Sequence, residues 1–475
     1  MALRSVDDDE ESTISRFSRG RVVDPMASIA TRKAAVTVAA GTVLALVVLN
    51  AIAVRRANAP PSWAVSPDDA SSSATSGKLF SGVAFRTFPV DSVKFDGESL
   101  SASGAKSSFA SGDNPQCKQW SVVTTIFEPS DAVKKQANLG PDWCIVIVGD
   151  RKSPPVYHVE GSSTIVYLDA NDQETFGKEF PEFFSTLNWN HFGRKNVGFL
   201  YAIAHGAQAI WDFDDDNILK DHADIKVPGE DEDYSVDLPK DHDFPTYNPY
   251  VKMGAPHSPS WPRGIPLTHI KDSGSWKSSL QRARVKGRDV ALIQSLADHD
   301  PDMDAIYRLT MPLPFNFQPP SDAAPIVLPP KTLAPLNAQA CLFRRAAFWM
   351  LLLPVTVHGR VSDIWRGYAG QRLLWDLGLH VIFSPPIVDQ FRNPHSYLAD
   401  FDSEIPLYTR AGALVEFLHQ WSSAATTLPG RVEQLWIALY ERGYVEMKDV
   451  VLVQHWLQAL TDVGYEFPGL PTAQP

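Results

Sequence analysis

From Trp120 onward the chain alternates short apolar runs with polar breaks, at a spacing that predicts strands and helices in turn. Residues 120–127 are apolar and β-branched, the pattern of a buried strand; Glu128-Pro129-Ser130 ends it before a helix predicted over 131–138. Residues 143–149 predict a second strand, stopped by Asp150 and Pro154-Pro155, and residues 164–168 a third. Continuous apolar runs of this kind suit a parallel sheet covered on both faces. Over 193–206, Val197, Leu200, Tyr201 and Ala204 recur at helical spacing and give one apolar face, with Gly206 as the residue just past the end. Residues 209–213 then predict a strand that runs into Asp214-Asp215-Asp216. The order strand–helix–strand–strand–helix–strand indicates an open α/β sheet, and ligands of such sheets bind outside the carboxyl ends of strands. Past Leu407, helices are predicted over 410–422, 431–443 and 447–463, as a cap or partner surface.

The N-terminal part has a different texture. Residues 34–54 carry no charge, and a helix of about 20 apolar residues spans a bilayer core of roughly 30 Å. Arg4, Arg16, Arg19, Arg21, Arg32 and Lys33 precede this run; Arg55 and Arg56 follow it, then no Lys or Arg until Lys78. That bias predicts a cytoplasmic N-terminus and a lumenal body. A signal peptide cleaved after Ala57-Asn58-Ala59 and a buried helix are the competing readings. The run is longer than a signal h-region of about 7–15 residues, and a Ser-, Gly- and Pro-rich linker follows it. The expected organisation is a cytosolic tail (1–33), a transmembrane signal anchor (34–54), a stem (55–116), an α/β domain (117–404) and a C-terminal helical extension (405–475).

Charge and cysteine content narrow the partners. The net charge is −12, from 43 basic and 55 acidic residues, and no long basic stripe appears, so nucleic acid is not an expected partner. Cys117, Cys144 and Cys341 do not make a disulfide framework; one bridge is compatible with an oxidising lumen, its pairing left open. A Walker-type G-x-x-x-x-G-K motif and a G-x-S-x-G elbow are both absent, which weakens NTPase and α/β-hydrolase readings.

The chemistry concentrates in Asp212-Phe213-Asp214-Asp215-Asp216. Clustered carboxylates repel unless they are solvated or bridged by a cation. Hard divalent cations take oxygen ligands, often one or two carboxylates plus substrate phosphates, so Mn²⁺ or Mg²⁺ is the expected cofactor. Asp214 and Asp216 lead as metal ligands, with Asp212 or Asp215 as alternates; the bland alternative is a solvated turn or a calcium loop. Arg194, Lys195 and Asn196 open the preceding helix, where an anion is attracted, and could serve phosphate, ribose or base; the alternative is surface charge and ordinary capping. The acidic stretch 221–243 reads as a solvated loop, with a lid as the alternative, and Asp298-His299-Asp300, beside Pro301 and Asp302, as a polar turn, with a metal role for His299 as the alternative.

Residues 191–217 closely resemble the STELLO-type glycosyltransferases. The resemblance extends to residues 122–129, Trp143-Cys144, Val148-Gly149-Asp150, residues 362–368 and Gly370-Gln371-Arg372, and covers roughly 118–400. More distantly, the Asp214-Asp215-Asp216 cluster and Trp365-Arg366-Gly367 are similar to reversibly glycosylated polypeptides. The resemblance implies a GT-A-like nucleotide-diphospho-sugar transferase fold, a nucleotide-sugar donor, a glycan or protein acceptor, and a Golgi type II membrane protein linked to a polysaccharide synthase complex. On a GT-A fold, Thr124, Thr125 and Glu128 would receive the nucleotide base, and Asp150 the base or ribose. Arg263 would face the diphosphate, Arg366 would pair with a phosphate, and Asp363 would act as general base toward the acceptor hydroxyl; the plain alternative for Asp363 is a helix N-cap. A non-catalytic Golgi scaffold that keeps the fold is the second reading. A sugar-nucleotide mutase or phosphate-handling hydrolase is the third.

Overall fold

The computed structural model describes residues 86–89, 95–103, 116–221, 223–271, 278–392 and 395–471. The expected anchor at 34–54 lies outside them, and among the described residues no helix is long and apolar enough to cross a membrane.

β1 (Gln119–Thr124) leads through α1 (Asp131–Gln136) to β2 (Trp143–Val148) and β3 (Thr164–Leu168). Two short helices, α2 (Ala170–Phe176) and α3 (Pro181–Thr186), precede α4 (Lys195–Ala204), which returns the chain to β4 (Ala209–Asp212). Next come β5 (Asn217–Leu219), β6 (Asp233–Lys240), β7 (Ser279–Lys286), β8 (Val290–His299), α5 (Ala305–Thr310), β9 (Ile326–Val327) and β10 (Cys341–Arg344). The last elements are α6 (Gly359–Leu377), β11 (His380–Gln390), α7 (Tyr397–Gln420), α8 (Leu428–Glu441) and α9 (Met447–Asp462).

The strands of the described residues join one 11-stranded mixed sheet, ordered β3-β2-β1-β4-β10-β8-β11-β9-β6-β7, with β5 paired to β11. The apolar runs make its buried centre: Trp120, Val122, Val146 and Trp211 are all fully buried. β1 is parallel to β2 and to β4, with Val122 opposite both Val146 and Asp212. β10 runs antiparallel to both β4 and β8, so those two point the same way, and β11 is parallel to β8. The carboxyl ends of β1, β2, β3, β4, β8 and β11 therefore share one sheet edge, where an open α/β sheet binds ligands.

α4 packs close across β1 and β2. A Cβ at Gly198 would stand 2.7 Å from Val122 Cγ1 and from Val148 Cγ2, so only glycine allows this approach. The helix is preceded by a 3₁₀ turn, Phe192–Arg194, in which His191 Nδ1 accepts from Gly193 N at 3.0 Å. It ends two residues before Gly206, whose φ of +88° favours glycine.

Several expectations change here. The predicted first strand stops at Thr124, because Ile126 and Phe127 turn out to solvent at the sheet edge. The stretch 221–243 is not all loop: β6 pairs antiparallel with β7, and the acidic strand meets a basic one through Asp233–Lys286 and Asp237–Arg282 ion pairs. α6 begins at Gly359 with His358 as its cap, so Asp363 sits inside the helix and is not its N-cap. α7 starts at Tyr397 behind the Ser396 cap and runs unbroken through Pro406, across the expected boundary at 404/405. The disulfide joins Cys117 to Cys144, with Cα atoms 5.9 Å apart, and Cys341 is buried and free.

Candidate functional site

β4 ends on Asp212, which is fully buried. Burying a carboxylate is costly unless it is paired, and two cations meet it: Lys195 Nζ at 2.5 Å, and Arg366 through Nη1 at 3.2 Å and Nη2 at 3.3 Å. Burial works against the Lys195 ammonium, but Asp212 and Asp214 outweigh it and hold its pKa above the ordinary value. Nζ also donates to Phe213 O at 2.7 Å and Ala338 O at 2.9 Å, and it lies 3.0 Å from Asp214 Oδ1.

The chain then turns. Asp214 N donates to Asn217 Oδ1 at 3.2 Å, and Asn217 N returns a bond to Asp214 O at 3.0 Å. The Asp214 side chain is 46 % exposed. Asp215 accepts from Thr125 Oγ1; burial raises its pKa against that hydrogen bond. Asp216 is pushed up to about 6, first by burial and then by its neighbour Asp214. The raised pKa values of Asp215 and Asp216 mark negative charge that the protein itself does not fully answer. Among the described residues no three His, Cys, Asp or Glu side chains are arranged to hold a metal ion. The turn therefore fits a divalent cation only in the mode that takes one or two carboxylates and leaves the remaining positions to phosphate and water.

Beside the turn lies a cavity of ≈ 310 Å³, lined by Thr124, Thr125, Asp150, Asn190, His191 and Asp215 among others. That is within the range of small-molecule sites, about 300–1,000 Å³. The exposed Ile126 and Phe127 give it an apolar wall. Asp150 secures the opposite wall: its oxygens accept from Asn190 N at 2.8 Å and His191 N at 3.2 Å.

The structure thus gathers Thr124, Thr125, Asp150 and Asp215 around one cavity, with Asp214 and Asp216 in the same turn as Asp215 and Lys195 behind it. Glu128 is exposed and is not among the cavity's lining residues. Other expected donor ligands have structural partners. Arg194 is buried, bonded to Gln173 Oε1 at 2.9 and 2.6 Å and stacked 3.9 Å over the Trp189 ring; burial lowers its pKa to about 10. Asn196 is spent on the backbone of Leu353, accepting from N at 2.8 Å and donating to O at 2.9 Å.

Asp363 and Arg263 form a buried pair. Asp363 Oδ1 accepts from Arg263 Nη1 at 3.2 Å and Ile364 N at 2.9 Å; Oδ2 accepts from Arg263 Nη2 at 2.9 Å and Ala338 N at 3.2 Å. With four donors in place, neither oxygen is open to an acceptor hydroxyl. Arg263 also binds Asp302, through Nε at 2.9 Å and Nη2 at 2.6 Å. Burial opposes the Asp302 charge, but Arg263 and Arg392 outweigh it and bring its pKa down to about 2. Sequence reasoning missed Gln390 and Arg392, and it placed Asp300 and Asp302 in or beside a polar turn rather than in the site. The signal for the two aspartates was present: carboxylates at 298, 300, 302 and 304 alternate directly after the apolar run of β8.

Comparison with known proteins bears on this arrangement. Residues 360–474 match the family model described as STELLO glycosyltransferases. Two curated proteins of Arabidopsis thaliana are similar across most of the chain. "Probable glycosyltransferase STELLO1" is 31% identical over 368 residues, 75% of this chain and 46% of that protein. "Probable glycosyltransferase STELLO2" is 31% identical over 364 residues, 74% of this chain and 46% of that protein. The chain spans about half the length of these curated relatives.

Proposed function

The chain is a relative of the STELLO glycosyltransferases, and from that premise we propose that it transfers a sugar from a nucleotide-diphosphate donor at the edge formed by β1, β2 and β4. The observation that carries this reading is the 310 Å³ cavity opening beside a turn of three aspartates at a strand end, two of which, Asp215 and Asp216, are held above the usual carboxylate range chiefly by burial. The mixed sheet with flanking helices agrees with a GT-A-like fold.

Ile126 and Phe127 offer apolar surface to a nucleobase, while Thr124, Thr125 and Asp150 supply polar groups for base and ribose. Asp214 and Asp216 would hold Mn²⁺ or Mg²⁺, with Asp215 as alternate. When bound, such a cation neutralises the charge that develops on the departing diphosphate. Asp212 serves beneath them: paired with Lys195 and Arg366, it fixes the end of β4 and stations the Lys195 ammonium under the turn. Asp363 reads as a positioning group that holds Arg263, since its oxygens are already occupied. That same occupancy favours the second reading, a scaffold that binds the nucleotide without turning it over.

We also read residues 34–54 as a Golgi-type signal anchor with the body lumenal, where a polysaccharide synthase complex would be its partner. The Cys117–Cys144 disulfide supports an oxidising compartment. In sealed microsomes a C-terminal epitope should resist added protease; digestion without detergent would place the body in the cytosol.

The catalytic reading is tested by incubating the full chain with a panel of nucleotide sugars and Mn²⁺ and measuring released nucleoside diphosphate. Turnover of one donor that disappears in Asp214→Ala is expected. Nucleotide binding without turnover of any donor would leave the scaffold reading in its place.

A further inference from the structure

A circuit of side chains starts and ends at the acidic turn. Asp214 meets Lys195 at 3.0 Å; Lys195 binds Ala338 O at 2.9 Å; Ala338 N binds Asp363 at 3.2 Å. Asp363 meets Arg263 at 2.9 Å, Arg263 meets Asp302 at 2.6 Å, and Asp302 Oδ1 accepts from Arg392 Nη2 at 3.2 Å. Arg392 follows β11 directly after Phe391, whose N–H donates to Asp216 O at 3.2 Å, so the circuit returns to the turn it left.

The cations in and beside it are not equally occupied. Lys195, Arg366 and Arg263 have side chains 2 %, 2 % and 7 % exposed, and each is surrounded by acceptors. Arg392 is 15 % exposed. Its Nη2 serves Asp302 and, with the Gln390 amide oriented to satisfy both its ends, the Gln390 oxygen at 3.1 Å. Its Nε is 3.8 Å from Asp300 Oδ2 and makes no hydrogen bond, and no hydrogen bond among the described residues uses Nη1. No ion pair within 4 Å joins Arg392 to Asp216. A guanidinium with spare donors therefore stands beside the turn that carries the Asp216 carboxylate, held there by the Phe391–Asp216 bond. A cation-bound diphosphate satisfies both at once: the cation meets the carboxylate and a phosphoryl oxygen meets the guanidinium.

We propose that Arg392 is a diphosphate-binding residue of this site, gripping a phosphoryl oxygen with the guanidinium edge that Asp302 leaves free. This rests on the reading of the site as one for a nucleoside diphosphate. Asp302 presents the side chain, and the bond from Phe391 to Asp216 fixes its distance from the turn.

Inorganic pyrophosphate with Mg²⁺ is the probe, because it carries the diphosphate without a base. Its affinity for the full chain is measured by calorimetry for wild type, Arg392→Lys and Arg392→Gln, with ligand-induced shifts in melting temperature referred to each unliganded variant. Arg392→Gln should weaken pyrophosphate at least tenfold, and Arg392→Lys, which keeps a charge for Asp302, should lose less. If wild type binds and both variants bind equally well, the Arg392 assignment is overturned while the proposed function stands. If wild type binds neither pyrophosphate nor any nucleoside diphosphate, both are overturned.

Discussion

Asp212 and Asp216 are four residues apart and do opposite work. Asp212 is buried between two cations, and removing one partner of a buried pair costs about 3–5 kcal/mol because the other charges are left unanswered. Asp212→Ala should therefore lose stability of that order in urea unfolding, whether or not ligand is present. Asp216 is the reverse case. Its folded pKa, about 6, lies above the ordinary 3.8, so the folded state prefers it protonated. Stability should fall as pH rises from about 4 through 6, and the full cost, on the order of 3 kcal/mol, is present at neutral pH. Asp216→Asn should raise the melting temperature at pH 7.5 and flatten its pH dependence between 4 and 6, while Mn²⁺-dependent nucleotide binding weakens. An unchanged pH profile would remove Asp216 as the strained group. The sequence displayed the five-residue acidic run plainly, but not which carboxylate faces inward. That depends on Lys195, from a different helix, and Arg366, from a helix more than 150 residues away.

At the scale of elements, the strands up to β4 and the helix before it were readable because each is a continuous apolar run or one helical face. β6 was missed for a physical reason: its acidic residues look solvated until the basic strand β7 is laid beside them. The loop from 351 to 358 is pinned from both sides, by Asn196 from α4 and by Asp449 at the start of α9. Asp449 accepts from Val355 N at 2.6 Å and from Thr356 N at 3.3 Å. That loop feeds α6 and so sets Asp363 and Arg366. Asp449→Ala should cost about 1–3 kcal/mol, the penalty for leaving buried donors unpaired, and should speed hydrogen exchange at Val355 and Thr356. Gly198→Ala drives a methyl into two valines and should cost about 1–3 kcal/mol, read in the same unfolding assay.

Across the whole molecule, the C-terminal helices belong to the fold that carries the site. α7 runs through residue 404, and Trp456 Nε1 donates to Trp349 O at 3.0 Å. A chain cut at 404 should fail to give soluble protein, and a well-folded fragment would contradict this. Apolar periodicity could predict those helices but not their attachment, which is made by single polar contacts between distant segments. The central claim is that aspartates crowning β4 bind a nucleoside diphosphate through a divalent cation. Calorimetric titration of UDP and GDP into the full chain tests it most directly. One of them should bind with Mn²⁺ and weaken at least tenfold when the metal is withheld or when Asp214 is changed to Ala. Equal affinity with and without metal, or in that variant, would contradict it.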